Sequence, residues 1–323
     1  MAKQTTVSET TPASALAGAF SEVRVRPSGW RRALRLLRRN YAGIVGLFVL
    51  LMVGLAALFA PVLAPYDPAK QEMTERLTCP AFTSCPRYGT NETIHGSSEH
   101  WLGTDALGRD ILSRLIYGAR VSVIVGITAV FLGAVAGSSL GLIAGFYGGF
   151  ADTLIMRIGD IFLAFPYLLL AIAIVAVLGG GLLNVILVLA IAGWVPYARL
   201  IRGSVLAARE HEYITAARAI GVRDSVLLAR HMLPNVVTPI IVYGTFAVAA
   251  TIIAEAGLSY LGLGVGTKVP TWGNMLADGR TYMSTAWWLT TLPGIAIMIT
   301  VLSINLIGDW LRDALDPQLR NLA

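Results

Sequence analysis

Five stretches of this chain contain no Asp, Glu, Lys, Arg or His: Asn40 to Tyr66, Val121 to Ala151, Ile161 to Ala198, Met232 to Ala254 and Thr281 to Gly308. Each exceeds the roughly 20 residues that an α-helix needs to cross a hydrocarbon core about 30 Å thick. The Ile161 to Ala198 run is 38 residues long, too long for one span and suited to two short ones. Gly179-Gly180-Gly181 divides it, since three consecutive glycines favour a turn over helix interior. The expected architecture is therefore all-α, a polytopic membrane protein with six transmembrane helices. A composition 55% hydrophobic and only 14% charged agrees, being far more apolar than that of a domain with a wet surface.

The segment Arg199 to His231 holds six Arg and three acidic residues between two apolar runs. Each such charge costs roughly 2.5 to 3.5 kcal/mol at the bilayer centre, against about 0.3 to 0.6 gained per large apolar residue, so this segment does not span. Basic residues set the orientation. The side bearing the N-terminal 40 residues, the Arg199 to His231 segment and the C-terminal end carries 17 Lys and Arg, against 8 on the other side. The positive-inside rule puts both termini and the charged segment in the cytoplasm. The net charge of +6 is then a matter of topology and implies no nucleic-acid partner.

These observations divide the chain into a cytoplasmic tail (1–28), rich in Ser, Thr, Ala and Pro and expected to be disordered, and a basic amphipathic helix (29–40) on the anionic membrane surface. A first transmembrane helix (41–66), an extracytoplasmic segment (67–118) and a core of five further helices (119–315) follow, with the charged loop at 199–231 and a C-terminal tail at 316–323. The N-terminal apolar run is longer than the 7 to 15 residues of a cleavable signal and reads as a retained helix. Two cysteines, Cys79 and Cys85, lie in the extracytoplasmic segment, where an oxidising compartment favours a disulfide-closed loop. Two reduced thiols, or a metal pair with His95 and His100, are the rivals; no metal site is expected.

The second span carries Gly133, Gly137, Gly141, Gly145 and Gly149 at a strict spacing of four. On one helix they form a smooth stripe that lets another backbone approach closely, so helix packing is the favoured role over lining a substrate path. No ionisable group interrupts the apolar runs, which argues against coupling to protons or sodium. The chain has no GxxxxGK[ST] phosphate loop, and HExxH, GxSxG and CxxC are absent, so no catalytic site and no cofactor of its own are expected. Energy has to come from a partner.

Within the charged loop, Leu206, Tyr213, Ala217 and Ile220 share a helical face up to the break at Gly221, and Asp224 is placed to cap a second short helix before Pro234 opens the next span. "TAARAIGVRDSVLLARHMLP" resembles the EAA signature of ABC importer permeases: Ala216, Ala217, Gly221, Leu233 and Pro234 match, Thr215 stands in place of the Glu, and His231 follows the usage of the peptide and nickel branch. "HWLGTDALGRDILSRLIYGARVS" and "GLSYLGLGVGTKVPTWGNMLADGR" resemble the same branch, and with "APVLAPYDP" the similarity covers roughly residues 30 to 320. The chain is most similar to the C-type permease subunit of dipeptide or oligopeptide importers.

That resemblance implies a type I importer permease in a bacterial inner membrane, paired with a homologous second permease, two cytoplasmic ATPases that use ATP and Mg, and an extracytoplasmic binding protein that delivers the peptide substrate. Glu212, Tyr213, Thr215, Ala216, Ala217, Gly221, His231 and Pro234 are the implied ATPase-coupling residues, with Glu212 a candidate for the missing acidic group. Gly103, Thr104, Asp105, Gly108, Arg109 and Asp110 match the extracytoplasmic motif, where a turn held by an Asp–Arg pair is favoured over direct contact with the binding protein. Glu255 is expected at a helix end near the outer interface, and Trp272 to Met275 in a re-entrant or surface structure. Nickel, glutathione and antimicrobial-peptide permeases share the mechanism; a secondary transporter is the more distant alternative.

Overall fold

A computed structural model describes residue 37 and residues 40–86, 93–266 and 268–315. The expected tail (1–28), nearly all of the basic helix (29–40) and the C-terminal segment (316–323) lie outside the described residues. The described chain runs α1 (Tyr41–Leu58), α2 (Ala60–Leu63), a hairpin of β1 (Ser84–Pro86) and β2 (Thr93–His95), then α3 (Ile111–Tyr147), α4 (Gly149–Leu163), α5 (Tyr167–Leu178) and α6 (Leu182–Arg209). It continues through α7 (Glu212–Ala219), α8 (Asp224–Tyr260), α9 (Trp272–Gly279) and α10 (Trp288–Leu315). The antiparallel hairpin, with Cys85 opposite Ile94, is a small exception to an otherwise helical chain.

Among the described residues, α1, α3, α6, α8 and α10 are each long and apolar enough to span. The expected sixth span corresponds to a bent pair of helices, the geometry of a broken span or of a re-entrant loop. Helices α4 and α5 pass the same test only as a pair bent by 90°. Pro166 sits at the bend; it supplies no N–H and disfavours helical geometry in the residue before it. Its 12 residues make α5 about 18 Å long, short of a full crossing.

Two helices outrun the apolar segments from which they were expected. Helix α3 starts at Ile111, eight residues before the anticipated core boundary, because Asp110 caps it by accepting from the Ser113 N–H at 2.7 Å and because Arg114 is neutralised from outside the helix. At the other end of the bundle α6 continues through Arg199 and Arg202 to Arg209, pairing Arg199 with Asp160 at 2.6 Å and Arg202 with Asp152 at 2.5 Å, both on α4.

Helices α3 and α6 form the most extensive helix pair. Gly133, Gly137, Gly141 and Gly145 lie against Ala190, Trp194, Ala198 and Arg202, two matched series advancing by one helical turn at a time. A β-carbon at Gly137 would meet the Trp194 carbonyl and come within 2.8 Å of the Tyr197 β-carbon; one at Gly141 would lie 2.5 Å from the Ala198 carbonyl oxygen. Gly149 does not belong to this stripe. Helix α3 ends at Tyr147, Gly148 and Gly149 turn through positive φ angles of 64° and 55°, and a β-carbon at Gly149 would meet nothing within 4 Å.

Gly137→Leu is accordingly expected to abolish accumulation of folded protein, because the backbone it strikes cannot yield as a flexible side chain would; overpacking of this kind costs about 1 to 3 kcal/mol or more. Gly149→Ala, in open space, is expected to cost only about 1 kcal/mol, from its left-handed backbone. Melting temperatures in detergent compare the two, and equal losses would show that the stripe does not set the α3–α6 distance.

Candidate functional site

The charged loop folds into an elbow pinned by one side chain. Ile214 of α7 is fully buried and packs with Phe146, Val205, Leu227 and Met232, drawn from α3, α6 and α8. Around it Glu212, Tyr213, Thr215 and Ala216 are exposed and Ala217 is half-buried. Glu212 stands in the first turn of α7, where the helix dipole favours an acidic group. Gly221, at φ 80°, closes the helix with a paired return: its N–H bonds the Arg218 carbonyl at 3.0 Å, and that of Val222 bonds Ala217 at 3.1 Å. The Arg218 guanidinium lies 5.0 Å from the centre of the Phe146 ring. Tyr213 stacks on His211 with ring centres 5.7 Å apart and accepts from Asn235 Nδ2 at 2.9 Å, and His231 approaches the same ring.

Two details of the elbow differ from the sequence reading. Helix α6 breaks at Glu210 and His211 before α7 begins, so the periodicity restarts: Ile214 faces inward, while Tyr213 and Ile220 are 47% and 81% exposed. Asp224 lies in the first helical turn after the capping Arg223, and that turn passes through a π-helical stretch, Leu227–Met232, directly into α8. There is no free-standing second short helix. Pro234 falls where the π-helical stretch gives way to regular α-helix, so the N–H it lacks leaves a carbonyl of the preceding turn without its helical partner.

At the opposite end, the GTDALGRD motif makes a turn closed by charge. Arg109 Nε bonds Asp105 at 2.6 Å while its other arm reaches Asp278 of α9 at 2.8 Å. Arg114, 1% exposed, joins the same two carboxylates. Two Asp and two Arg thus tie the segment before α3, the start of α3 and α9 into one neutral cluster. Gly103 and Gly108 take positive φ angles of 80° and 71°, and Thr104 bonds across to Thr78 and Glu75. His100 bridges Asp110 Oδ1 at 2.8 Å and Glu75 Oε2 at 2.6 Å. Burial pushes its pKa down, but the hydrogen bonds to Asp110 and Glu75 outweigh that and the net shift is upward.

Cys79 and Cys85 form a disulfide beside this cluster, both buried among Leu77, Trp272 and Trp288. The chain's only two sulfhydryls are consumed in it, which removes the rival assignment of a metal held with His95 and His100; His95 instead pairs with Ser84 across the hairpin at 2.8 Å. Glu72, Glu75 and His100 do bring possible ligand atoms within 4.8 Å of one another, yet both ring nitrogens of His100 are already engaged by Asp110 and Glu75. Glu255 lies near the C-terminal end of α8 and is completely buried, accepting from Ser259 at 2.7 Å and Ser122 at 3.1 Å. Trp272 to Met275 are likewise buried in α9, with Trp272 Nε1 donating to the Leu115 carbonyl at 3.1 Å. Asp278, Arg114, Ile214 and Phe146 are participants that sequence reasoning did not single out.

The family model of the binding-protein-dependent transport system inner membrane component matches residues 137–321, more than half of the chain and the part that holds the elbow. The chain belongs to that family. A second model, the N-terminal TM domain of oligopeptide transport permease C, matches residues 28–80. The di/tripeptide transport system permease protein DppC of Pseudomonas aeruginosa (strain UCBPP-PA14) is 44% identical over 299 residues, 93% of this chain and 95% of that protein. The dipeptide permease DppC of Alkalihalophilus pseudofirmus and the glutathione permease GsiD of Pectobacterium atrosepticum are also 44% identical, covering 91% and 90% of this chain and 91% of each relative. A solved chain of the MetNI methionine ABC transporter, in its CY5 native crystal form, shares the fold at TM-score 0.52 and 19% identity, covering 64% of this chain and 98% of its own. As a membrane permease of this type, the protein conducts solute and is not itself the ATPase.

The raised His100 pKa makes stability pH-dependent. The protonated ring contributes fully below about pH 6.5, the unfolded value, and its contribution is lost as pH rises through the higher folded value. The melting temperature is expected to fall over that range, and His100→Gln is expected to flatten the profile. Arg114→Ala, which leaves Asp105 buried with one partner fewer, is expected to destabilise by about 3 to 5 kcal/mol; denaturation in detergent checks both.

Proposed function

We propose that this chain is one of two permease subunits in an ATP-driven bacterial importer of short peptides, with the α7 elbow in the cytoplasm as the docking point for an ATPase. The observation that carries this reading is the elbow itself: a short helix with a small-residue exposed face, anchored through Ile214 to three membrane helices and closed by a glycine turn. Ala216 and Thr215 leave room for a partner's surface, while Glu212 and Tyr213 offer polar contacts at its N-terminal end. ATP binding draws the two ATPases together, the elbows follow as rigid bodies, and the permease pair alternates its access. A binding protein delivers cargo to the opposite end, where the Asp105–Arg114–Asp278 cluster holds the loops in shape. On this reading both termini face the cytoplasm, ATP and Mg belong to the partners, and the cargo is a dipeptide or oligopeptide.

Glutathione is the specific second reading, because a glutathione permease matches as closely as the dipeptide permeases do. Purification with candidate ATPases and a binding protein is expected to give a complex whose ATPase activity rises several-fold with loaded binding protein and which takes up labelled dipeptide. Uptake of glutathione but not dipeptide selects the second reading; failure to associate with any ATPase would sink both. Gly221→Leu strains a left-handed turn, and Ala217→Glu puts a charge at the half-buried edge of α7. Each is expected to cut peptide uptake at least tenfold while the subunit remains inserted and ATP is still hydrolysed. Normal uptake by both would move the docking surface elsewhere.

A further inference from the structure

Helix α8 runs unbroken from the elbow to the opposite end of the bundle. It begins at Asp224 and ends at Tyr260, 37 residues and about 55 Å later. Its first turns share the Ile214 cluster through Leu227, Met232 and Val236. Near its far end, roughly 46 Å along the axis from Asp224, Glu255 is completely buried. The carboxyl accepts from three hydroxyls: Ser122 of α3 at 3.1 Å, Ser259 of its own helix at 2.7 Å, and Thr271, the capping residue of α9. Asp105 and Asp110 are met by Arg and His, whereas Glu255 meets no cation among the described residues.

The ties around this carboxyl are unequal. Helix α9 is bound firmly to α3 and the turn before it: Asp278 pairs with Arg109 and Arg114, Trp272 Nε1 donates to the Leu115 carbonyl, and Gly118 leaves room for the Trp272 ring. Toward α8 the same unit offers close packing, Gly126 against Ile252 and Gly273 against the Ala256 backbone. Among the described residues, the side-chain hydrogen bonds that cross from α8 to α3 or α9 all end on Glu255. Bonds to hydroxyls exchange for bonds to water at small net cost, whereas parting Asp278 from two guanidinium groups strands buried charge. Ser259 travels with Glu255, so the carboxyl keeps one partner if the other two leave. The boundary between α8 and the α3–α9 unit is thus where this end of the bundle parts most easily.

We propose that Glu255 is a positioning residue for transport, a releasable latch that holds α8 against the α3–α9 unit until the elbow, acting through α8 as a rod, withdraws it. The proposal rests on the docking role given to the elbow and adds to it the place where the stroke is received. With the latch made, α8 and α3 stay closed at this end. With the latch broken, Ser122 and Thr271 turn to water and Glu255 keeps Ser259. Coupling between two sites is reciprocal in binding, so whatever holds the latch shut also disfavours the ATPase pairing that ATP binding promotes.

The test uses the complete complex in proteoliposomes, with loaded binding protein and labelled dipeptide. Glu255→Ala is expected to raise ATP hydrolysis without binding protein at least fivefold and to shrink the stimulation by loaded binding protein in proportion. Glu255→Gln, whose amide oxygen still accepts from Ser122 and Thr271, is expected to stay within about twofold of the wild type on both measures. A mere loss of stability would lower both rates together and leave their ratio unchanged, and that result would overturn the latch. Gly126→Cys combined with Ile252→Cys probes the boundary without touching the carboxyl: one turn from Ser122, a β-carbon at Gly126 lies 2.8 Å from Ile252 Cγ1, within reach of a disulfide. Oxidation of this pair is expected to cut dipeptide uptake at least tenfold and reduction to restore it, each measured against wild type given the same treatment, since the reductant also acts on Cys79–Cys85. Undiminished uptake with the cross-link confirmed by mass spectrometry would show that α8 and α3 do not part, and the latch would fall. Should Glu255→Ala not assemble, the cross-link alone decides. A wild-type complex in which loaded binding protein neither stimulates ATP hydrolysis nor drives uptake would instead sink the elbow reading on which the latch depends.

Discussion

Helices α3 and α6 touch backbone to backbone, and the rest of the bundle is arranged around that contact. In lipid there is no hydrophobic gain in pressing two apolar helices together, so association depends on fit. Gly133, Gly137, Gly141 and Gly145 provide it by removing the side chains that would hold the axes apart. The loop end of α3 carries Arg114 and the Asp110 cap, its far end carries Phe146, and α6 leads directly into the elbow. The glycine contact therefore fixes the distance between the elbow and the Asp105–Arg114–Asp278 cluster.

Charge is handled by a second rule. The fully buried ionisable groups lie toward helix ends and are supplied with partners: Arg114 with Asp105 and Asp278, Asp110 with His100, Glu255 with Ser122 of α3 and with Ser259 of its own helix. Removing one member of such a set strands the others, whereas the intact set is close to neutral. The same economy extends α6 beyond the apolar core, since Asp152 and Asp160 of α4 accompany its Arg202 and Arg199.

Much of this architecture was legible in the uncharged runs, because a crossing helix must be apolar whatever its neighbours are. Its limits were not. The apolar runs stop at Arg120 and Arg199, and only the distant Asp278, Asp160 and Asp152 show that α3 and α6 also carry Arg114, Arg199 and Arg202. The place of the elbow was evident from charge density and the EAA-like spacing, but its inward face was not: the break at Glu210 and His211 resets the helical phase, so Ile214 could not be inferred from Leu206. Gly149 followed the stripe's arithmetic but lies past the end of the helix.

The mounting of α7 has a mechanical corollary. Because Ile214 sinks among the ends of α3, α6 and α8 together, a load on the short helix cannot turn one of them alone. On the proposed docking role the torque is shared, and the hydrogen-bonded glycine turn at Gly221 serves as a firmer outer hinge than a flexible tether would. Such a joint transmits displacement in preference to force, and its fidelity is set by how firmly one isoleucine is seated.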